Sequence, residues 1–494
     1  MPKKITFNDS CFRAYDIRGK VNTDFDSAGV HAFGQVLRDF ICEKTGKTNS
    51  HIVIGFDGRT TSPSIEQSMI DGLYNDSQTN DSIMLTRIGC GPTPMMYFAS
   101  LELKADAAIM ITASHNPSTY NGFKILINQT PLTSTEIQLL KNRLKKRIEQ
   151  NERQLSFEQN RTSQLIHDDS IQNKYVQHLV KSSGKIPFRI AWDPGNGSAG
   201  EVLQDLLSQI DGEHYTINQD IDGSFPAHAP DPTQPQNLEQ LGDLVTDLGC
   251  DFGIALDGDG DRFAVVDSYG EMVPMSVVMT MLATDILEKH PGSTIISDVK
   301  MSPYFFKTID CLGGKSIMAP TGYTFLKEHM QSHNAIFGGE ASGHVCFKDS
   351  HPGYDDGLYA ALRFIKCLTE MMGNQDQNQD QSQDQTLSRW IDHHPKIYTS
   401  YPIKIPVLPG INSGNQTKFD IVRNIQRILN DNGTAFCNID GIRVELKSGW
   451  WCLRASNTED HISILAEAPI EQDLDQILIE IEHLLKQAGL KDTP

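Results

Sequence analysis

The chain has 494 residues and a formal net charge of −20, with 38% hydrophobic and 8% aromatic residues. At roughly 100–200 residues per domain, that length holds three or four domains with cores of their own. The acidic balance excludes nucleic acid as the expected partner, because a polyphosphate backbone requires a basic face. A small phosphorylated ligand stays open, since a local cluster of Arg and Lys overrides net charge inside a cleft.

The segment Met1-Pro-Lys-Lys4 leads into polar sequence, with no apolar stretch or small-residue cleavage site of a secretory signal. The longest apolar runs, such as 107–112, are too short to span a bilayer, so no membrane partner is expected. The nine cysteines, scattered from Cys11 to Cys452, include no C-x-x-C pair, which argues against a zinc knuckle or a disulfide framework. A cytoplasmic protein is expected.

Three segments follow one plan: an apolar β-rich run, then a polar loop bearing Gly or Asp, then a helix-like stretch. They are His51–Arg59 with Asp57, Phe188–Gly197 with Asp193, and Ser293–Lys300 with Asp298. This alternation predicts α/β units with functional loops at the carboxyl ends of strands. A Gln/Asp-rich stretch, 373–385, has no apolar residue and reads as a surface insertion near a domain boundary. Beyond it, β-like runs from Tyr401–Leu408 onward alternate with a helix near Lys418–Leu429. A final amphipathic helix is predicted over Glu471–Ala488, with Leu474, Ile477, Leu478, Ile481 and Leu484 at helical spacing.

Four loops carry chemistry. Thr112-Ala-Ser114-His115-Asn-Pro117 follows an apolar strand, so Ser114 stands where a substrate reaches it, with His115 and Lys124 near in sequence. Taken alone, a Ser-rich turn with a hydrogen-bonded histidine explains this loop as well. Asp257-Gly-Asp259-Gly-Asp261-Arg262 sets three carboxylates at alternate positions, freed by glycines to face one hard cation. A calcium EF-hand fails, because Arg262 and Ser268 stand where Gly and Glu belong. The plainer alternative is a solvated acidic turn. Glu340-Ala-Ser342 suits paired sugar hydroxyls or an ordinary Gly-rich turn. Arg454-Ala-Ser456-Asn457-Thr458 groups a guanidinium, two hydroxyls and an amide, as a phosphate cradle or an exposed turn would. Gly314-Lys315-Ser316 looks like the end of a P-loop, but Ile309 replaces its first glycine, and no nucleotide role is assigned.

In this order the four loops resemble the α-D-phosphohexomutase family, and within it the bacterial phosphomannomutase and phosphoglucomutase branch. Phe12–Gly19, Asp222–Pro226, Pro235–Leu238 and Asp440–Val444 extend the likeness over nearly the whole chain. The resemblance implies an α/β protein of four domains around a central cleft: three related α/β units with mixed sheets and a smaller C-terminal α+β domain. The expected spans are 1–160, 161–269, 270–385 and 386–494.

The resemblance further implies that Ser114 is phosphorylated and that Asp257, Asp259 and Asp261 bind Mg²⁺ together with that phosphate. Glu340 and Ser342 would hold the sugar, while Arg454, Ser456, Asn457 and Thr458 would hold the phosphate that does not react. Tyr15, Lys300 and Tyr323 complete the substrate-binding set. Arg18, Lys124 and Arg262 would neutralise charge in phosphoryl transfer, and His115, Lys124 and His344 are the acid/base candidates. The expected reaction interconverts mannose 6-phosphate and mannose 1-phosphate, with hexose 1,6-bisphosphate as intermediate and activator.

Glucose or dual specificity is the alternative by the same mechanism. A metal-dependent sugar phosphatase and a catalytically retired binder are remoter ones. A monomer or homodimer acting on a phosphosugar is expected. Two departures stand out: Tyr323 occupies a position where the family usually has histidine, and Asp460 adds a carboxylate beside the cradle.

Overall fold

The run Ala107–Ile111 is buried at every position, the pattern of a strand covered on both faces. It lies inside a seven-stranded sheet. The order is Ile17–Lys20, Tyr120–Ile127, Ala107–Ile111, Asn49–Phe56, Ser82–Cys90 and Gln164–His167, with Thr130–Pro131 paired to Tyr120–Ile127. Strands from Ala107–Ile111 to Gln164–His167 run parallel, and Tyr120–Ile127 is antiparallel to both its neighbours on that path. This computed structural model describes residues 5–74, 82–151, 164–375, 386–408, 410–456 and 460–491.

The second sheet has five strands in the order Met272–Val273, Phe263–Val266, Phe252–Leu256, Arg189–Asp193 and Glu213–Thr216. The predicted Asp-rich turn joins Phe252–Leu256 to the antiparallel Phe263–Val266. A third sheet orders Lys315–Ala319, Thr294–Asp298, Phe337–Gly339 and Val345–Phe347. The fourth is wholly antiparallel, built from Tyr398–Thr399, Ile403–Pro406, Ile442–Glu445, Trp450–Ala455 and His461–Ala468. Three mixed α/β sheets followed by a C-terminal α+β layer are what the sequence predicts.

The chain divides into two compact units. One comprises Met1–Pro232, Asn237–Met272 and Tyr354–Gly373, and carries the first two sheets. One of its cores centres on Phe7, Phe12, Phe25, Phe33 and Phe123, whose rings meet at offset angles that favour aromatic contact. The helix Gly357–Gln375 contributes Phe364, 5.7 Å from Phe252 between ring centroids. The other unit comprises Thr233–Gln236, Val273–Gly353 and Asn374–Pro494, and carries the third and fourth sheets.

In the fourth sheet's layer, the helix Lys418–Asp431 starts in a capping box between Thr417 and Asp420, satisfying two backbone donors at once. The terminal helix Glu471–Gln487 buries Leu474, Ile477, Ile481 and Leu485. The expected Leu478 and Leu484 pack at the flanks of that stripe instead, because a 3.6-residue repeat carries the inward face from 481 to 485. The Gln/Asp-rich stretch lies, from 376 to 385, outside the described residues. Among the described residues no helix is long and apolar enough to cross a membrane.

Candidate active site

In the first unit, Ser114 follows the strand Ala107–Ile111 and has a left-handed backbone, φ +51°, a conformation that costs a non-glycine residue energy unless its surroundings hold it. They do so through buried hydrogen bonds. Ser114 N donates to Thr112 Oγ1 (2.8 Å), which donates in turn to Asp57 Oδ2 (2.7 Å). Arg59 then grips the loop by its carbonyls: Ser114 O at 2.6 Å, Asn116 O and Pro117 O at 2.7 Å, and Tyr120 O at 3.1 Å. Its remaining Nε–H donates to Asp57 Oδ2 (3.0 Å), so all five guanidinium donors are used.

Ser114 Oγ donates to Asp257 Oδ2 (2.7 Å) and lies 3.3 Å from His115 Nδ1. Ligand oxygens of Asp257, Asp259 and Asp261 fall within 4.8 Å of one another, and all three residues are fully buried. Lys124, on the strand Tyr120–Ile127, places Nζ 2.7 Å from Asp259 Oδ2 and also binds Asp261. Thr93 donates to Asp259 Oδ2 at 2.5 Å. Arg262 Nε stands 3.7 Å from Asp257 Oδ2. Arg18 pairs with Asp16 (2.7 Å) and donates to Ala113 O and Asn116 Oδ1. Tyr15 is half-buried on the same segment. Ser114, His115, Lys124, Arg18, Arg262 and the three aspartates are thus brought together as the sequence predicts.

Charge is crowded there. Burial, then Asp259 and Asp261, drive Asp257 well above the usual carboxylate range. Burial also pushes Asp259 up, but Lys124 and Thr93 outweigh it and hold that carboxyl below its ordinary value. Lys124 is raised by the same two aspartates against the effect of its own burial. Asp259 Oδ1 is buried and accepts no hydrogen bond from the described residues. An acceptor-only oxygen beside two more carboxylates and a serine hydroxyl is a donor set for a hard divalent cation, and such a charge would relieve Asp257.

In the second unit the remaining predicted residues gather. Glu340 follows the strand Phe337–Gly339; it accepts from Gly322 N (2.5 Å) and from Ser342 Oγ (3.2 Å). Tyr323 opens the helix Tyr323–Ser332 with its ring 6.1 Å from that of His344 and with Lys327 Nζ 5.2 Å over its face. Lys300 Nζ lies 3.4 Å from Asp298 Oδ2. The main chain on either side of Lys300 is held by Arg443, whose Nη1 donates to Val299 O (2.5 Å) and Met301 O (2.8 Å) while its guanidinium stacks 4.2 Å over Trp450. Arg454 and Ser456 are buried at the end of the strand Trp450–Ala455. Asn457 and Thr458 lie outside the described residues. The unexpected Asp460 points outward and pairs with Lys418 (3.2 Å).

His461 reports the field around Arg454, part of the cradle the sequence leads one to expect. Burial first, then Lys404, Lys418 and Arg454, hold its imidazole down to about 4 from an ordinary 6.5. Between those pH values the unfolded chain binds a proton that the folded one does not. Stability from this group is therefore lost as pH falls from about 6.5 to about 4. The expected result is that His461→Gln flattens the acid side of a melting-temperature profile. A second is that saturating inorganic phosphate raises the His461 pKa, read by NMR, because an anion offsets the three cations. An unchanged pKa in phosphate would remove the cradle.

Sequence reasoning missed the residues that hold the loops in place: Asp57, Arg59 and Thr93 in the first unit, Asp298, Thr321 and Asp440 in the second. The signal was present, since Asp57, Arg59 and Asp298 lie in the strand-to-loop segments used to predict α/β units.

Comparisons with known proteins point to one family. Four family models match in order: Phosphoglucomutase/phosphomannomutase alpha/beta/alpha domain I over residues 9–151, domain II over 170–270, domain III over 276–398, and the C-terminal domain over 411–484. A Pseudomonas syringae phosphomannomutase/phosphoglucomutase is 31% identical over 95% of this chain and 93% of its own. A Neisseria gonorrhoeae phosphoglucomutase is 31% identical over 94% of each. The crystal structure of a Burkholderia thailandensis phosphoglucomutase/phosphomannomutase family protein superposes with a TM-score of 0.82 at 28% identity, covering 98% of both chains. The chain belongs to the phosphoglucomutase/phosphomannomutase family, the α-D-phosphohexomutases.

Proposed function

We propose that this mutase interconverts mannose 6-phosphate and mannose 1-phosphate with Ser114 as the phosphate carrier, and turns over the glucose pair as well. The observation that carries this reading is Ser114 Oγ, 2.7 Å from Asp257 on a loop fixed by its own main chain, beside three gathered carboxylates. Dual specificity is favoured by relatives named for both sugars.

The phosphorylated Ser114 transfers its phosphoryl group to a free hexose hydroxyl, giving hexose 1,6-bisphosphate. That molecule reorients and returns its other phosphate to Ser114, and added bisphosphate primes unphosphorylated enzyme. Asp257, Asp259 and Asp261, with Ser114, would hold Mg²⁺, which supplies charge neutralisation for the transferring group. Lys124, Arg18 and Arg262 add fixed positive charge on the same side. His115 is the side chain placed to take or return a proton at Ser114 Oγ. Glu340 and Ser342 orient the sugar hydroxyls, and Arg454 and Ser456, with Asn457 and Thr458, seat the phosphate that is not reacting. Tyr15, Lys300 and Tyr323 line the substrate, and His344 supports Tyr323. The proposed site of action is the cytoplasm, as monomer or homodimer.

A coupled assay with mannose 1-phosphate and glucose 1-phosphate, Mg²⁺ and a trace of bisphosphate tests the reading. Both 6-phosphates should form, and their kcat/KM ratio ranks the sugars. Chelation should stop turnover and Mg²⁺ should restore it. Inorganic phosphate accumulating in place of 6-phosphate would make the protein a phosphatase. Full activity in buffer shown metal-free by elemental analysis would overturn the cation assignment.

A further inference from the structure

Three loops of the second unit meet on one turn, Thr321-Gly322, just ahead of the helix Tyr323–Ser332. From the Arg454 side, Asp440 Oδ2 accepts from Arg454 Nε (2.9 Å) and from Thr321 N (3.1 Å). Behind the turn, Asp298 Oδ2 accepts from Thr321 Oγ1 (2.8 Å), while its Oδ1 accepts from Ala341 N (3.0 Å). Gly322 N donates to Glu340 Oε1 at 2.5 Å. Gly322 has φ +136°, a backbone open to glycine and strained for any side chain. An unbroken series of hydrogen bonds therefore runs from Arg454 through Asp440, Thr321 and Asp298 to the 340–342 loop.

We propose that Thr321 and Gly322 form a coupling hub, which transmits occupancy of the phosphate cradle to the sugar-binding loop. The proposal rests on the reading above, in which Arg454 meets the substrate's phosphate and Glu340 with Ser342 meet its hydroxyls. A phosphate competes with Asp440 for the Arg454 guanidinium, because both are anions bidding for the same donors. As Arg454 turns toward phosphate, the Asp440 carboxylate is left to Thr321 N. The turn then shifts against Asp298 and Glu340, the two carboxylates that fix the main chain and the side chain of the sugar loop. Thr321, Asp298 and Asp440 are positioning residues in this scheme. The hub gives the site a signal common to both orientations of a bisphosphate, since each leaves one phosphate in the cradle.

Two measurements test the hub, and one of them does not depend on turnover. In hydrogen–deuterium exchange with inorganic phosphate as probe, the wild-type protein should exchange more slowly at Ala341 and Gly343 when phosphate is saturating. Thr321→Val should lose that protection while still binding phosphate. In steady-state kinetics, Thr321→Val should raise KM roughly five- to tenfold with kcat little changed, and Thr321→Ser should restore it. In an Arg454→Gln background the Thr321→Val effect should shrink to less than about twofold, the sign of two residues acting on one path. Lack of phosphate protection in the wild type, or penalties that simply multiply in the double variant, would overturn the hub. A wild-type protein that shows protection but turns over no hexose phosphate would instead refute the mutase reading and leave the hub standing.

Discussion

Ser114→Ala is expected to lower kcat/KM on the order of 10³-fold or more, with the fold intact. The oxygen proposed to carry the phosphate is the only heavy atom removed. The loop's hold on this residue runs through Ser114 N to Thr112 and Ser114 O to Arg59, and alanine keeps both. Alanine also meets the same φ of +51° with no new penalty, since both residues carry a Cβ. The loss to the fold is the hydrogen bond to Asp257 and the 3.3 Å contact with His115 Nδ1, about 0.5–1.5 kcal/mol for each. Intact-mass measurement of wild type and variant after incubation with bisphosphate gives the direct check: one phosphate on the first and none on the second. A variant that retains the wild-type rate would end the phosphoserine mechanism.

Lys124→Met carries the second large effect, on both rate and stability. Lys124 is 3% exposed, and its ammonium bonds Asp259 and Asp261, which are 0% exposed. Removing one partner from a buried ionic cluster typically costs about 3–5 kcal/mol, because the remaining charges stay out of water without compensation. The rate should fall on the order of 10²–10³-fold, the scale for losing one fixed donor aimed at developing charge. Denaturant unfolding with chelator and with Mg²⁺ separates the two roles. The variant should be far less stable than wild type in chelator, and Mg²⁺ should recover part of the deficit by replacing the lost positive charge. Asp259 would also lose the neighbour that holds it below its ordinary value. Its folded-state pKa then rises above the unfolded one, the folded state binds the extra proton, and the deficit narrows as pH falls. A metal-free variant within about 1 kcal/mol of wild type would show that the cluster is not held by Lys124.

What the sequence made legible follows from how local each signal is. The Asp-rich turn is legible at 257–262, and the structure flanks it with the strands Phe252–Leu256 and Phe263–Val266. The C-terminal helices at Lys418–Asp431 and Glu471–Gln487 were readable from periodicity within a few residues of their ends. Candidate chemistry was readable where reactive side chains sit close in sequence, as in 257–262 or 112–117. Arg59 was not, because the loop it holds lies 55 to 61 residues away and meets it through backbone carbonyls, which leave no trace in side-chain composition. Asp440 escaped for a similar reason: its partner at Thr321 is a main-chain N–H 119 residues distant. Strand order across the sheets was equally invisible, since pairing such as Ile17 with Phe123 depends on crossovers rather than on either segment. The resemblance supplied what periodicity could not, by tying four distant loops to one chemistry.

The Arg59 grip also bears on how this loop can vary over evolutionary time. Its carbonyl partners at 114, 116, 117 and 120 are present whatever side chains stand there, so the guanidinium reads chain path rather than residue identity. Substitution along the loop can retune chemistry without dismantling the scaffold that presents it, whereas position 59 has no such latitude, because lysine offers one ammonium in place of a five-donor fork. The loop is a replaceable cassette on a fixed mount, and the mount, not the neighbours of Ser114, is where inheritance should be strictest.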